Sequence, residues 1–332
     1  MNLSWQIVRL NLKETFSISY GNYTFREALI VELSYQGCKG YGECTSIDYY
    51  QINLNDFTLH LELIQTQIES QKIVHPIEFY QFLLTLNLHS FLRSALDCAY
   101  WDLFGKLENK SFAELNLIQI NQLPESSITI SVDKVENQIQ KIQTSTWNKF
   151  KVKCNHYDAN SIQSLLNLDY NIALDSNASF TKEDCLLIQD NSEFSKFSYL
   201  EQPMPTGFEN YKILNATASA NWMADEDCHS ISDLVKLQSH YKSINIKLVK
   251  CGGLTPALEL ITEARKLDFK IMIGCMTEST IGISAGANLA PLCDFADLDG
   301  ANLIANDIAK GSIVENGLIK LSNKSGLGLQ LV

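Results

Sequence analysis

The pattern of apolar and polar positions changes near residue 124, and this change predicts two structural units. Before it, β-rich stretches come first, and apolar side chains then recur at helical spacing over 56–86 and 90–106. The last of these helices is expected to end at Gly105 as its C-cap. Strands followed by helices are typical of an α+β domain, which we assign to residues 1–123.

Beyond that domain, short apolar strands alternate with helical stretches, as in βαβ units on a parallel sheet. Eight such strands predict an α/β fold in which the sheet closes into a (β/α) barrel over 124–308, with a short or missing last helix. A hairpin is expected at 313–321, within a final segment, 309–332, that returns to the N-terminal sheet. The predicted barrel strands cover residues 127–132, 149–154, 171–175, 197–201, 221–225, 243–248, 269–274 and 294–298.

Composition narrows the possible partners of this 332-residue chain. The formal net charge is -12 and no block of lysine or arginine occurs, so neither a nucleic acid nor an anionic membrane is an expected partner. The nine cysteines are scattered singly, which favours neither a zinc site nor a disulfide framework and suits a reducing compartment. With no long apolar run and no leader-like N-terminus, we expect a cytoplasmic protein.

Carboxylates end three consecutive predicted strands. Active-site groups of such barrels lie at the C-terminal ends of the strands, where Asp175, Glu201 and Asp225 are found. A single carboxylate there is more often a helix N-cap, but three in succession favour a shared site. Oxygen ligands without histidine or thiolate suit Mg²⁺.

Lysines flank these carboxylates. Lys151 and Lys153 share one face of the second strand, where mutual repulsion lowers the pKa of a lysine toward that of a general base. A solvated edge strand is the alternative for this pair taken alone. Lys247 shares a face of the sixth strand with Asn245, so Lys153 and Lys247 are expected to approach the barrel mouth from opposite sides.

In these motifs the chain resembles the enolase superfamily, in its muconate-lactonizing subgroup. The resemblance covers nearly the whole chain. It rests on Lys151-Val152-Lys153, Asp175-Ser176-Asn177, Glu201-Gln202-Pro203, Ala224-Asp225-Glu226 and Asn245-Ile246-Lys247 followed by Cys251-Gly252-Gly253. It implies a modified, TIM-like (β/α)7β barrel and an N-terminal α+β capping domain that the C-terminal segment completes.

The same resemblance implies roles for individual residues. One Mg²⁺ would bind Asp175, Glu201 and Asp225 and stabilise an enediolate, with Lys153 and Lys247 as acid/base catalysts on opposite faces of the substrate. Lys151 would lower the pKa of its neighbour. Supporting positions are Asn177, Asn245 and Glu226, the last as partner of a lysine.

Asp297 and Asp299 indicate a subgroup. A turn with a capping aspartate is the commoner explanation of a lone Asp-Xaa-Asp-Gly. In this setting the pair resembles the signature of dipeptide epimerases, which binds the α-ammonium group of the substrate. The resemblance implies inversion of the C-terminal residue of an Ala-Xaa dipeptide, such as the murein fragment L-Ala-D/L-Glu or a broader set.

Specificity and alternatives stay open at this stage. Tyr20 and Met276 are candidate substrate contacts, and Arg26 is expected on the strand after the capping loop, where it could instead form a structural ion pair. Other functions are a muconate cycloisomerase, an o-succinylbenzoate synthase, a barrel that binds phosphate at Gly252-Gly253, or a non-catalytic binding protein. The expected partner is a small dipeptide, and a homo-oligomer is compatible with the sequence.

Overall fold

The computed structural model describes residues 1–18 and 21–332. Its N-terminal part is an antiparallel sheet in the order β1, β2, β3, covered on one side by three helices. The strands are β1 (Asn2–Ile18), β2 (Gly21–Tyr35) and β3 (Cys38–Thr45), and the helices are α1 (Leu54–Glu69), α2 (Pro76–Thr85) and α3 (Ser90–Glu108), followed by the short α4 (Phe112–Leu115). The predicted order of strands and then helices is confirmed.

Helix α3 packs directly on β3 because glycines on the strand leave room for its backbone. A Cβ atom added to Gly42 would lie 1.9 Å from the carbonyl oxygen of Ala95. The predicted end of α3 at Gly105 is wrong, since the helix runs to Glu108 and Asn109 takes the left-handed C-cap position at φ 53°. Gly105 is instead a packing position against the C-terminal segment.

All eight predicted barrel strands are present and form one parallel sheet in sequence order. They are β4 (Ile128–Ile130), β5 (Lys149–Lys153), β6 (Asn171–Asp175), β7 (Leu200–Glu201), β8 (Trp222–Ala224), β9 (Ser243–Lys247), β10 (Lys270–Gly274) and β11 (Phe295–Asp297). The helices between them are α5 (Val135–Thr144), α6 (Ala159–Leu166), α7 (Lys182–Asp190), α8 (Phe208–Tyr211), α9 (Ile231–Leu237), α10 (Leu248–Cys251), α11 (Leu254–Lys266) and α12 (Thr280–Ala287). Short 3-10 helices cover Asp48–Tyr50, Ser192–Lys196 and Ala290–Leu292.

The last helix, α13 (Gly300–Leu303), is a single turn, so the expected short final helix is confirmed. The barrel is nearly closed between β11 and β4. Backbone pairing there is limited to a bridge between Ser126 and Ala296, with the amide of Ser127 donating to the Ala296 carbonyl at 3.0 Å. Side chains from the end of β11 therefore carry much of the closure.

The C-terminal hairpin packs on the barrel rather than on the N-terminal sheet. Its strands, β13 (Ile313–Glu315) and β14 (Leu318–Lys320), form a separate two-stranded sheet, and the Gly317 carbonyl accepts from Ser126 N at 2.8 Å. The preceding β12 (Ala309–Lys310) pairs with the terminal β15 (Gln330–Leu331).

The chain returns to the first domain after the hairpin. The amide of Gly326 donates to the Lys110 carbonyl at 2.8 Å, and its own carbonyl accepts from Phe112 N at 2.9 Å. A Cβ atom on Gly105 would lie 2.6 Å from the Gly326 Cα atom, which explains the glycine in the last turn of α3.

Two buried carboxylates of the N-terminal domain cap barrel helices. Asp97 on α3 accepts hydrogen bonds from Thr255 N at 2.9 Å and Thr255 Oγ1 at 2.8 Å, at the start of α11. Glu43 on β3 accepts from Ser279 N at 3.0 Å and from Gly282 N at 3.1 Å, at the start of α12. Because helix N-termini carry unpaired N–H groups and partial positive charge, these contacts hold the two domains together.

Burial raises the pKa of Asp97 to about 7, although hydrogen bonds from Thr255 and Leu254 act to lower it. The side chain fills the N-terminus of α11 next to Gly252-Gly253, where a phosphate would otherwise bind. This contact argues against the phosphate-binding alternative. None of the helices in the described part of the chain has the length and apolarity that a membrane-spanning segment needs.

The close approach of Asp97 to Gly253 leads us to predict the effect of a substitution at Gly253. Its φ is +128°, and an added Cβ atom would lie 2.4 Å from Asp97 Oδ2. We expect Gly253→Ala to lower the free energy of unfolding by about 2 to 5 kcal/mol, through backbone strain and overpacking together. Urea unfolding followed by circular dichroism measures this loss.

Gly207 offers a matched control, because its φ is +111° and no atom lies within 4 Å of an added Cβ. Gly207→Ala should cost only the backbone strain, about 1 to 2 kcal/mol. Equal losses for the two variants would contradict a tight Asp97 contact at Gly253.

Candidate active site

The predicted site residues lie in one layer at the C-terminal ends of the barrel strands. Lys153 pairs in register with Asp175, and Asp175 with Glu201. On the other side of the barrel, Gly274 is in register with both Lys247 and Asp297. In-register residues point to the same side of a parallel sheet, and every one of these side chains is buried.

Each of the two predicted acid/base lysines contacts a different carboxylate. Lys153 Nζ lies 2.6 Å from Asp175 Oδ2 and 3.1 Å from Asn177 Oδ1. Lys247 Nζ lies 2.6 Å from Asp225 Oδ2. Strands β5 and β9 are four positions apart in the eight-stranded sheet, so the two ammonium groups approach the mouth from opposite sides, as expected.

Lys151 lies among carboxylates. Its Nζ atom contacts Asp297 Oδ2 and lies 3.6 Å from Glu201 Oε2 and 3.8 Å from Asp175 Oδ2. Burial acts to lower the pKa of Lys151, but these three carboxylates raise it well above its usual value. Its own close contacts are thus with acids, and Asp297 serves as its counter-ion.

One of the three predicted metal ligands, Glu201, has an oxygen without a hydrogen-bond partner among the described residues. This oxygen is Oε2, whereas Oε1 accepts from Asn245 Nδ2 at 2.6 Å. Burial raises the pKa of Glu201 to about 7. Burial also acts to raise the pKa of Asp175 and Asp225, but neighbouring lysines hold both below the usual value.

A buried carboxylate oxygen without a donor is what a hard divalent cation satisfies, so the donor set fits Mg²⁺ in kind. Within residues 1–18 and 21–332, no three acidic, histidine or cysteine side chains already stand in metal-binding arrangement. The ammonium groups of Lys151, Lys153 and Lys247 contact the carboxylates instead.

Lys250 is a site residue that the sequence reasoning missed. It is 3% exposed, and its Nζ atom donates to Asp225 Oδ1 at 2.5 Å, to the Asp225 carbonyl oxygen and to the Asn245 carbonyl oxygen at 3.1 Å. With Lys247 on the other oxygen, both oxygens of Asp225 are held by ammonium groups. The available signal was the spacing Lys-Xaa-Xaa-Lys, which places Lys250 one helical turn beyond Lys247.

The Asp297 and Asp299 side chains bind the first barrel strand. Asp297 accepts from Ser127 Oγ at 2.7 Å through the oxygen that Lys151 does not use. Asp299 accepts from Thr129 N at 2.6 Å and makes no capping bond to α13, although it precedes that helix. Burial, and then the charge of Asp297, raise the pKa of Asp299 to about 6.

A cavity opens above this layer, between the barrel mouth and the N-terminal domain. Lys151, Lys153 and Lys247 line it together with both aspartates of the Asp-Xaa-Asp motif. Met276, a predicted substrate contact, also lines it. Tyr20, the other predicted contact, lies outside the described residues.

Glu226 lines the cavity without a direct lysine partner. Burial, and then the charge of Asp225, raise the pKa of Glu226 to about 8. Its Oε2 atom has no hydrogen-bond partner among the described residues. The expected direct contact of Glu226 with a lysine is not found among the described residues.

Arg26, a residue of the N-terminal domain, places its positively charged side chain in the wall of the cavity. It lies on β2, as predicted, is 4% exposed, and stacks its guanidinium 3.6 Å from the centre of the Tyr23 ring. Its Nε atom has no hydrogen-bond partner in the part of the chain that the structure describes. Stacking therefore holds Arg26 here, in place of the ion pair considered from the sequence.

Comparison with protein families assigns the class. Residues 134–332 match the family model described as "Enolase C-terminal domain-like". This match spans more than half of the chain, and it agrees with the barrel and with the order of the lysines and carboxylates. The chain belongs to the enolase superfamily.

The chain is similar in sequence to several dipeptide epimerases, which are isomerases. An L-Ala-D/L-amino acid epimerase of Flavobacterium johnsoniae is 36% identical over the full length of both chains. An L-Ala-D/L-Glu epimerase of Escherichia coli is 33% identical, over 90% of this chain and 92% of the relative. A dipeptide epimerase from Enterococcus faecalis, solved with Mg and L-Leu-L-Tyr, superposes with a TM-score of 0.87 at 26% identity, covering 99% of this chain and 98% of that one.

The contacts of Lys250 predict a strong effect of its removal. Lys250→Met would leave one side of the buried Asp225 carboxylate without its cation. We expect the free energy of unfolding to fall by about 3 to 5 kcal/mol, as when one partner of a buried ion pair is lost. Urea unfolding measures the change.

Lys266→Met is the matched control, because Lys266 pairs at 2.6 Å with Glu263 on the protein surface. An exposed pair of this kind contributes at most about 1 kcal/mol. If Lys250→Met were no more destabilising than this control, Asp225 would not depend on Lys250.

Proposed function

We propose that this chain is a Mg²⁺-dependent dipeptide epimerase that inverts the C-terminal residue of an Ala-Xaa dipeptide by a two-lysine 1,1-proton transfer. The observation that carries the proposal is the placement of Lys153 and Lys247 on opposite sides of one cavity, each in contact with a different carboxylate of the Asp175, Glu201 and Asp225 set. Two bases facing each other across a bound carbon acid are what inversion at that carbon requires.

Each group of site residues has a separate role in this proposal. Asp175, Glu201 and Asp225 would hold Mg²⁺, which supplies Lewis-acid stabilisation of the negative charge that develops on the substrate carboxylate. One lysine removes the α-proton from its face of the substrate, and the other delivers a proton to the opposite face. Because the two lysines exchange roles between the two epimers, the reaction runs in both directions.

The buried acids Asp297 and Asp299 support a substrate with an α-ammonium group. Both line the cavity, and a carboxylate accepts more hydrogen bonds than the one or two that each makes within the protein. A muconate or o-succinylbenzoate precursor carries no ammonium group and would place further negative charge beside them. The dipeptide is therefore preferred over these alternative substrates.

Arg26 supports an acidic side chain on the residue that is inverted. Arg26 is buried and lines the cavity, and its Nε–H has no hydrogen-bond partner among the described residues, so this guanidinium is well suited to a carboxylate. We accordingly propose L-Ala-L-Glu and its epimer as substrates, within a set of Ala-Xaa dipeptides.

The two-lysine proposal is tested by proton exchange in D2O. A set of L-Ala-L-Xaa dipeptides is incubated with the enzyme, and α-deuterium and epimer content are read by mass spectrometry and chiral chromatography. Lys153→Ala and Lys247→Ala should each lower epimerisation by about 10²- to 10⁴-fold, because each removes an acid/base group. One variant can retain exchange of a single epimer, since one base remains.

Lys149→Ala is the matched control. Lys149 lies on the same strand, β5, but at its other end, about 13 Å from Lys153. The Lys149→Ala variant should epimerise the dipeptides at the parent rate. Full epimerisation by either of the two site variants would refute the two-base scheme.

Metal dependence is tested by chelation. Removal of divalent ions with EDTA should lower the rate at least about 100-fold, since the metal contributes several kcal/mol of charge stabilisation, and added Mg²⁺ should restore it. Calorimetric titration of Mg²⁺ into stripped Glu201→Gln should show weaker binding than into the stripped parent protein. Activity that survives complete metal removal would contradict the proposal.

A further inference from the structure

A second cavity, of about 210 Å³, adjoins the active-site cavity. It lies between residues 12–16 of β1, residues 128–131 at β4, and the single turn α13. The two cavities share three lining residues, Phe16, Thr129 and Leu303. These three side chains form the partition between them.

The cavity exists because the barrel lacks a full eighth helix. Only the four residues of α13 follow β11, so a helix does not cover the outer side of the β11–β4 seam. The hairpin covers one part through the hydrogen bond from Asn302 Nδ2 to the Val314 carbonyl at 2.9 Å. Strand β1 covers another part, where the Ser17 carbonyl accepts from Val132 N at 3.0 Å.

The β1 strand is irregular where it borders the cavity. Asn11 pairs with Phe25 and Phe16 with Tyr23, so residues 12–15 of β1 stand opposite a single residue of β2. An irregularity of this kind bends a strand and redirects its side chains. It turns residues 12–16 toward the barrel seam.

The larger part of the cavity surface is apolar, although polar side chains such as Thr15 and Ser131 also line it. Leu12, Ile128 and Ile130 contribute to its walls along with the partition. The two lysines that line it already have partners: Lys13 Nζ donates to the Asn302 carbonyl at 2.8 Å, and Lys141 forms an ion pair with Glu14 at 3.2 Å. The space therefore suits an apolar group rather than an anion.

The position of Asp299 identifies the occupant. Thr129, in the partition, donates its backbone N–H to Asp299 Oδ2. In the proposed function, Asp299 helps to bind the substrate ammonium group, so the α-carbon that carries this ammonium lies next to the partition. The side chain on that α-carbon is the part of the substrate nearest to the second cavity.

We propose that the second cavity is a subsite for the side chain of the N-terminal residue of the dipeptide, and that it accepts apolar side chains larger than that of alanine. The side chain enters between Phe16 and Leu303. The proposal rests on the proposed function for the position of the ammonium group. It assigns to this chain a specificity wider than Ala-Xaa at the N-terminal position.

The test compares kcat/KM for L-Leu-L-Glu and L-Ala-L-Glu, measured by α-proton exchange in D2O. The parent enzyme should turn over both dipeptides at comparable kcat/KM. Ile128→Trp places a larger side chain in the subsite. It should lower the ratio of kcat/KM for L-Leu-L-Glu to kcat/KM for L-Ala-L-Glu at least about tenfold, the usual scale for a lost apolar fit. Leu303→Ala, which widens the entrance, should raise the same ratio.

Ile7→Trp is the control, since Ile7 is an exposed residue of β1 outside both cavities, and the ratio should stay at the parent value. If the parent enzyme and Leu303→Ala both exchanged the α-proton of L-Ala-L-Glu but not that of L-Leu-L-Glu, the subsite proposal would be wrong and the proposed function would stand. A folded Ile128→Trp with the parent ratio would also overturn the subsite. Absence of exchange with every dipeptide would overturn both proposals.

Discussion

The pairing of buried lysines with buried carboxylates at the barrel mouth is the constraint on which the site depends. Four lysines face four carboxylates there: Lys151, Lys153, Lys247 and Lys250 with Asp175, Glu201, Asp225 and Asp297. Each ion would cost several kcal/mol if it were buried alone, so the pairs must form together. They form because the strand register brings them into one layer, and any slip in register would leave charges unpaired.

Asp297 also helps to close the barrel, together with Asp299. Backbone pairing between β11 and β4 is sparse, and Asp297 and Asp299 add side-chain hydrogen bonds to Ser127 and Thr129 across that seam. The Asp297 and Asp299 side chains, which we propose as the binding site of the substrate ammonium group, are thus fixed in place by barrel closure itself. This gives the site preorganised carboxylates without the entropic cost of ordering them on binding.

Sequence reasoning predicted what depends on local pattern. Alternation of apolar and polar residues located the eight strands, and the residues at their ends located the carboxylates and lysines. The contacts that it missed join distant parts of the chain: Asp97 and Thr255 are 158 positions apart, and Glu43 and Ser279 are 236 apart. Gly105 was misassigned for the same reason, because its partner, Gly326, is visible only once the chain is folded.

The lysines and carboxylates of the site and the residues that shape the rest of the cavity belong to different parts of the fold. The lysines and carboxylates lie on the barrel strands or directly after them, whereas Arg26 and Phe16 reach the cavity from the N-terminal domain. Asp97 and Glu43 attach that domain to the N-termini of α11 and α12, away from the reacting groups. Substitutions in β1, β2 or the seam can therefore reshape the cavity while the lysines and carboxylates keep their register. In the proposed function, this division allows one catalytic layer to serve dipeptides with different side chains.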